Sequence, residues 1–183
     1  HLSVAEAFQR HADIDLLASI DAEGAPDAAS LARQLRQIGV RVAADDTWSD
    51  MLSRVLGERV EPHLGGGRIT VLDRYPAAEA ALARRAPDDA RVAERFEVYA
   101  CGVELANGFG ELTNPAEQRR RFALEMDEKA RVYGERYPVD EDFLDALTIM
   151  PDAAGIAMGF DRVVMLATAA PRIDDVIWAP VPG

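Results

Sequence analysis

The sequence predicts an α+β fold, an antiparallel β-sheet flanked by helices, and three observations carry that reading. Arg95 to Leu112 alternates aromatic and β-branched residues with polar ones around a glycine, the pattern of a β-hairpin. Helix-opening signatures recur at Ser3 with Glu6, at Thr47 with Asp50 and at Asn114-Pro115 with Glu117. An apolar, glycine-bearing segment from Gly155 gives way at Asp161 to a helix that runs to about Thr168.

Taken in chain order, the Ser3/Glu6 capping box opens a short helix to about His11, and Asp21 to Pro26 is turn-like. A second helix spans about Asp27 to Ile38 and is closed by Gly39. After the Thr47/Asp50 box, Trp48, Met51, Leu52, Val55 and Leu56 follow helical spacing, so residues 1–67 read as a helical support region. Gly65-Gly66-Gly67 lacks a leading strand and a following Lys-Ser or Lys-Thr, which favours a flexible connector over a phosphate loop. Residues 68–183 then supply the sheet. Arg68 to Tyr75 is a strand stopped by Pro76, Ala77 to Arg85 is a loop or one helical turn, and the hairpin follows. The Asn114-capped helix runs to about Tyr133 with Phe122, Ala123, Met126, Ala130 and Tyr133 inward, and Asp140 starts a further helix ending near Leu147. The helix after Asp161 is nearly all apolar and is expected to be buried.

Composition narrows the function classes. A chain of 183 residues, 49% hydrophobic, can bury one sizeable core, so one domain is expected. The absence of a membrane-length apolar run and of a signal peptide, with Cys101 as the single cysteine, points to a cytoplasmic protein without membrane contact or internal disulfide. A formal charge of -12 argues against a broad electrostatic grip on nucleic acid. The Arg119-Arg120-Arg121 triplet reads chiefly as a solvated helix face. His1, His11 and His63 lack metal-ligand spacing and read as structural or surface residues.

The chemistry concentrates in the hairpin. With the turn at Cys101-Gly102, Tyr99 lies opposite Glu104 and Glu97 opposite Ala106, which places Glu97 and Glu104 on one face. Two close carboxylates repel unless a cation lies between them, and a divalent metal carrying a polyphosphate suits such hard oxygen ligands. Asn107, Phe109 and Glu111 form a second alternating set suited to an ammonium on an alkyl stem. Simple alternation puts that set on the opposite face, and a bulge at Asn107 or Gly108 would bring both sets together. Taken alone, the pattern also fits an ordinary hairpin with solvated glutamates.

Arg162 stands where the glycine-bearing strand enters the last helix, a place for an anion clamp, or for a surface pair with Asp161 or Asp174. Gly155 and Gly159 weaken the strand twice, which favours a site where something approaches the backbone.

Gly155-Ile-Ala-Met-Gly-Phe-Asp-Arg162 resembles motif 3 of the class II aminoacyl-tRNA synthetases, and Arg95-Phe-Glu with Glu104-Leu-Ala-Asn-Gly-Phe-Gly-Glu-Leu112 resembles the metal- and lysine-binding hairpin of their lysyl branch. The likeness runs from about Arg68 to Val181, through Tyr75-Pro76-Ala77 and Val176-Ile177-Trp178-Ala179-Pro180, and is loose over His1 to Gly67. It implies the C-terminal portion of a class II catalytic core, one partial domain over residues 1–183. It implies that Glu97 and Glu104 hold Mg2+-bound ATP, that Gly159 and Arg162 contact the nucleotide, with Arg162 the catalytic group, and that Gly155, Ala157, Asn107, Phe109 and Glu111 shape the amino-acid pocket.

The reaction so implied is carboxylate attack on the ATP α-phosphate, giving an aminoacyl-adenylate and pyrophosphate, catalysed by positioning and charge neutralisation. Within the lysyl branch, the tRNA synthetases typically carry glycine where this chain has Ala157, and the elongation factor P lysine ligases carry alanine; the added methyl changes which lysine isomer fits. That difference, with Ala93-Glu-Arg-Phe-Glu97 and Met150-Pro-Asp152, favours lysine or β-lysine as substrate and elongation factor P over tRNA as acceptor. Motifs 1 and 2 of the class are not visible, so the 183 residues alone are expected not to form the adenylate. A homodimer is expected of a full-length protein of this kind, and a non-catalytic remnant or ligand-binding module is the competing reading.

Overall fold

The computed structural model describes residues 1–80 and 82–179. Pro180 and Val181, which close the expected family match, lie outside the described residues. Strand β1 (Leu2–Ser3) leads directly into α1 (Val4–Ala12), where Ser3 and Glu6 cap reciprocally as a capping box. Helices α2 (Ala28–Gln37) and α3 (Trp48–Val55) follow, capped by Asp27 and by the Thr47/Asp50 box, and Gly39 takes the left-handed conformation after α2. After α3 the chain continues through a π-turn, Leu56–Val60, and a 3-10 turn, Glu61–His63.

The sheet takes in β1, β2 (Thr70–Asp73), β3 (Arg95–Ala100), β4 (Val103–Gly110) and, after α4 (Pro115–Tyr133) and α5 (Glu141–Leu147), β5 (Ala154–Met158). Its strands lie side by side in chain order. Pairing is antiparallel from β2 to β5, as expected, but the short β1 edge pairs with β2 in parallel. Helix α6 (Phe160–Thr168) follows β5 after the single residue Gly159. No described helix is long and apolar enough to cross a membrane.

The main core lies between α1, α2, α3 and the β2 side of the sheet: Phe8, Leu31, Leu35, Met51 and Val55 pack with Leu72, Tyr75 and Tyr99. Burial of aliphatic and aromatic side chains of this size contributes about 1.5–3 kcal/mol each, so this cluster dominates the stability of the helical region and its attachment to the sheet.

Four expectations require correction. The Gly65-Gly66-Gly67 segment is not a plain connector, because Gly65 is pinned: its carbonyl accepts from the Cys101 N–H at 2.9 Å and its N–H donates to Thr70 Oγ1 at 3.0 Å. Its φ is +70° and an added Cβ would meet the Ala100 backbone at 2.8 Å, so only glycine fits. In α4 the buried positions are Gln118 and Arg121, while Ala123 and Tyr133 are exposed. The arginine triplet is therefore not one solvated face. Arg119 pairs with Glu141 and Arg120 with Glu117, but Arg121 turns inward and donates from Nη1 to the Ala83 carbonyl at 2.7 Å.

The apolar composition of α6 does not bury it: no residue of α6 or β5 is buried, and Ile156, Met158 and Phe160 are 58%, 63% and 77% exposed. The reason is geometric. Among the described residues β5 has a strand partner on one edge only, β4, and α6 packs against β4 on one side.

Candidate active site

Cross-strand partners share a face of the sheet, so the register decides which side chains meet. Tyr99 stands opposite Glu104 as expected, but Glu97 pairs with Asn107 rather than Ala106, because the register shifts between Val98 and Tyr99 and leaves Leu105 as the extra residue of β4. The bulge is thus at Leu105, two residues before Asn107 and three before Gly108, the expected positions. Its effect is the one that a bulge was expected to have. Glu97, Glu104, Asn107 and Phe109 all lie on one face, and β5 adds Ala157 opposite Asn107 and Gly155 opposite Phe109.

Glu97 is buried, and its carboxylate is held from four sides. Tyr75 and Tyr99 donate their hydroxyls to Oε2, the latter at 2.7 Å, while Arg95 at 3.0 Å and Asn107 Nδ2 at 3.3 Å donate to Oε1. Burial beside this carboxylate pushes both tyrosine hydroxyls well above the ordinary phenol range, so they remain donors. Arg95 also lies over the Tyr75 ring, 4.5 Å from its centroid. Reading the sequence identified Glu97 but missed Tyr75 and Arg95 as its holders. Period-two alternation along β3 places Arg95, Glu97 and Tyr99 together and was the available signal; nothing local points to Tyr75.

Asn107 spends its amide donor on Glu97, and its Oδ1 is buried and without a hydrogen-bond donor among the described residues. An acceptor so placed suits an incoming N–H. Glu111 lies further along the same strand: a Cβ added to Gly155, the partner of Phe109, would meet Glu111 Oε1 at 2.7 Å, so the carboxylate occupies the space over that glycine. Phe109 packs its ring against Ala80, Ala83 and Ala93, leaving an apolar plate between these polar groups. A cavity of about 550 Å³ adjoins this end of the sheet through Arg95, Phe109 and Ala154.

At the other end, Arg162 pairs neither with Asp161 nor with Asp174. Its Nη1 donates to the Glu104 carbonyl at 2.8 Å and to Glu104 Oε2 at 3.0 Å. The Gly159 N–H donates to the carbonyl of the bulged Leu105 at 2.8 Å, which docks the strand-to-helix turn onto β4. Gly159 caps α6 without a side-chain acceptor, so the positive end of that helix stays open toward an anion.

A third carboxylate, Glu61, was not anticipated. It is half-buried, and burial first, then the charges of Glu97 and Glu104, push its carboxyl above the ordinary range. Among the described residues no group of three or more His, Cys, Asp or Glu is arranged to hold a metal ion unaided. Two carboxylates at one site suit a Mg2+ ion that completes its coordination with phosphate oxygens and water. Both are the hard oxygen donors that Mg2+ takes, but Glu97 here accepts four hydrogen bonds and Glu104 Oε2 accepts one from Arg162, so a metal arriving with a nucleotide would displace some of these donors.

Comparison with known proteins identifies the family. The family model for tRNA synthetases class II (D, K and N) matches residues 9–181. Among curated relatives, the elongation factor P (R)-beta-lysine ligase of Klebsiella pneumoniae (strain 342) is 45% identical over 177 residues, and the protein of the same name from Edwardsiella ictaluri (strain 93-146) is 43% identical over 177. Each alignment covers 96% of this chain and 53% of the relative, so the chain spans about half the length of these proteins. The likeness therefore extends into the helical region, further upstream than Arg68. With a family model over nearly all its residues and relatives at this identity, the chain belongs to the class II tRNA synthetase family of the D, K and N branch.

Proposed function

We propose that this chain forms part of an ATP-dependent ligase that activates lysine or β-lysine as an aminoacyl-adenylate and passes it to a lysine of elongation factor P. The observation that carries the amino-acid half is the buried, donor-less Oδ1 of Asn107 on a face that also carries Phe109, Gly155 and Ala157, with the Glu111 carboxylate over Gly155. Asn107 and Glu111 would receive the substrate's ammonium groups and Phe109 its alkyl stem. Ala157 stands opposite Asn107, so its methyl narrows the space beside that acceptor and biases the choice of isomer. The names of the relatives support elongation factor P rather than tRNA as acceptor.

At the nucleotide end, Glu97 and Glu104 would hold the Mg2+ that accompanies ATP, and Arg162 and the open end of α6 would face its phosphates. Bound Mg2+ supplies charge neutralisation on the polyphosphate. The fixed groups of the chain do the rest: Arg162, docked on Glu104, presents its remaining N–H groups to the developing phosphate charge, and Asn107 and Glu111 hold the amino acid so that its carboxylate meets the α-phosphorus in line. Attack forms the mixed anhydride and releases pyrophosphate, and the ε-amine of the acceptor lysine then displaces AMP.

The uncovered Ile156, Met158 and Phe160 of β5 and α6 support the further reading that additional chain is needed to complete the site. The 183 residues are therefore expected to give no pyrophosphate exchange above background; exchange by this chain alone would overturn that reading. Calorimetry with ATP, lysine and β-lysine tests the site itself. Binding of ATP and of β-lysine supports the ligase, preference for α-lysine supports a tRNA synthetase, and no binding of any of the three supports a non-catalytic remnant.

A further inference from the structure

The end of α1 and the segment from His63 to Thr70 enclose a cavity of about 440 Å³ that plays no part in the site above. Arg10, His11, His63 and Arg68 line it, Gly66 contributes backbone, and no aspartate or glutamate does. In a chain with 32 acidic residues against 20 Lys and Arg, that concentration of base is conspicuous, and the three histidines of the sequence all line this one cavity. We propose that it is a binding site for a small oxyanion of the phosphate or sulfate class, held by Arg10 and Arg68 and closed by the imidazoles of His11 and His63.

The local architecture supports such a ligand. Pinning of Gly65 against the end of β3 folds the glycine triplet back and sets His63 and Arg68 on either side of it. The His11 and His63 rings stack with centroids 4.4 Å apart and planes 8° from parallel, which places two potential cations face to face. Two carboxylates stand behind this lining, each with a partner of its own: Glu6 accepts from the Ser3 N–H at 2.9 Å and interacts with Arg10 through its charge, and Asp73 meets Nδ1 of the rim residue His1 at 3.1 Å. Neither Arg10 nor Arg68 has a carboxylate partner among the described ion pairs. Charged donors facing an anion make the stronger class of hydrogen bond, and an arginine fork matches a tetrahedral oxyanion.

The cavity is also proton-linked. Burial, with His63 and Arg10 as like charges, holds the His11 imidazole below its ordinary range. The groups facing His11 are Arg10 on its own helix and His63 and Arg68 across the cavity, with His1 at the rim. An anion bound among them favours the imidazolium, so affinity rises as pH falls.

Proton NMR of the histidine rings reads this site with little background, since all three histidines border it. Sulfate, whose charge is constant over the range, is titrated at fixed ionic strength between about pH 5.5 and 7.5, across the ordinary titration of imidazole. The expected result is saturable shifts of His11 and His63, tighter at the lower pH, and weakened roughly tenfold in Arg10→Gln and in Arg68→Gln. Both arginines are exposed, so these variants keep the fold. Parallel titrations with inorganic phosphate and with a short single-stranded oligonucleotide tell a free anion from a phosphodiester by which binds more tightly. Shifts that never saturate with any of the probes, or saturation unchanged in both variants, would overturn the proposal.

Discussion

Arg162 and Glu104 are joined twice: one guanidinium nitrogen donates to the Glu104 carbonyl and to its carboxylate, tying the first turn of α6 to β4. The pair is part exposed, so its contribution to stability is small. Its value is positional, since it fixes the guanidinium beside Glu104, which shares a face with Glu97 and Asn107. Arg162→Lys keeps the charge but loses the fork, and is expected to weaken ATP binding by roughly 10- to 100-fold with little change in thermal stability. Calorimetry with MgATP beside a melting curve checks this; an unchanged affinity would remove Arg162 from the nucleotide site.

Gly155 and Gly108 are tight for different reasons. A methyl at Gly155 meets the far end of the Glu111 side chain at 2.7 Å, so Gly155→Ala displaces the carboxylate and is expected to weaken binding of β-lysine without unfolding the chain. A methyl at Gly108 meets the backbone carbonyl of Gly155 and the Phe96 ring, both at 2.7 Å, where nothing can swing away. Gly108→Ala is expected to cost about 1–3 kcal/mol, read in denaturant melts.

Tyr75→Phe removes one donor from the buried Glu97 carboxylate while keeping the ring under Arg95. The expected loss is about 1–3 kcal/mol of stability. A variant as stable as the parent would show that the Tyr75 hydroxyl contributes nothing to holding Glu97.

Glu117 carries a pH prediction. Hydrogen bonds from Arg120, then from Arg121, outweigh partial burial and hold its carboxyl at about 2, below its ordinary 4.5. A depressed carboxyl stabilises the fold fully above its ordinary value, and that stability is lost as pH falls from about 4.5 toward about 2. Glu117→Gln is expected to be about 1–2 kcal/mol less stable near neutrality, with the gap closing over that acid window in denaturant melts. The same arm steadies the site, because Arg121 holds the Ala83 carbonyl and Ala83 bridges to Glu111.

What the sequence disclosed divides along local and non-local lines. The caps at Ser3, Thr47, Asn114 and Asp140 are short-range chemistry, and each helix begins where its cap stands. The hairpin turn at Cys101-Gly102 was equally readable, with both residues at positive φ. The bulge was not: Leu105 bears no glycine signal, and what selects it is the pairing of β3 and β4 and the Gly159 N–H that bonds its carbonyl. Arg121 and α6 mislead in opposite directions. A cation in a triplet reads as solvated yet finds a buried carbonyl, and an apolar helix reads as buried yet lacks a covering layer among the described residues. Composition states what a side chain prefers, whereas burial depends on what packs against it.

The central claim is that acids of β3 and β4 and the guanidinium entering α6 address one nucleotide. Paramagnetic broadening by Mn2+·ATP on a backbone-assigned spectrum of the chain tests it most directly. The expected result is selective loss of the amide signals of Glu97, Glu104, Asn107 and Arg162, with those of α2 unaffected. Broadening centred elsewhere, or none at nucleotide concentrations that saturate the calorimetric signal, would contradict the assignment.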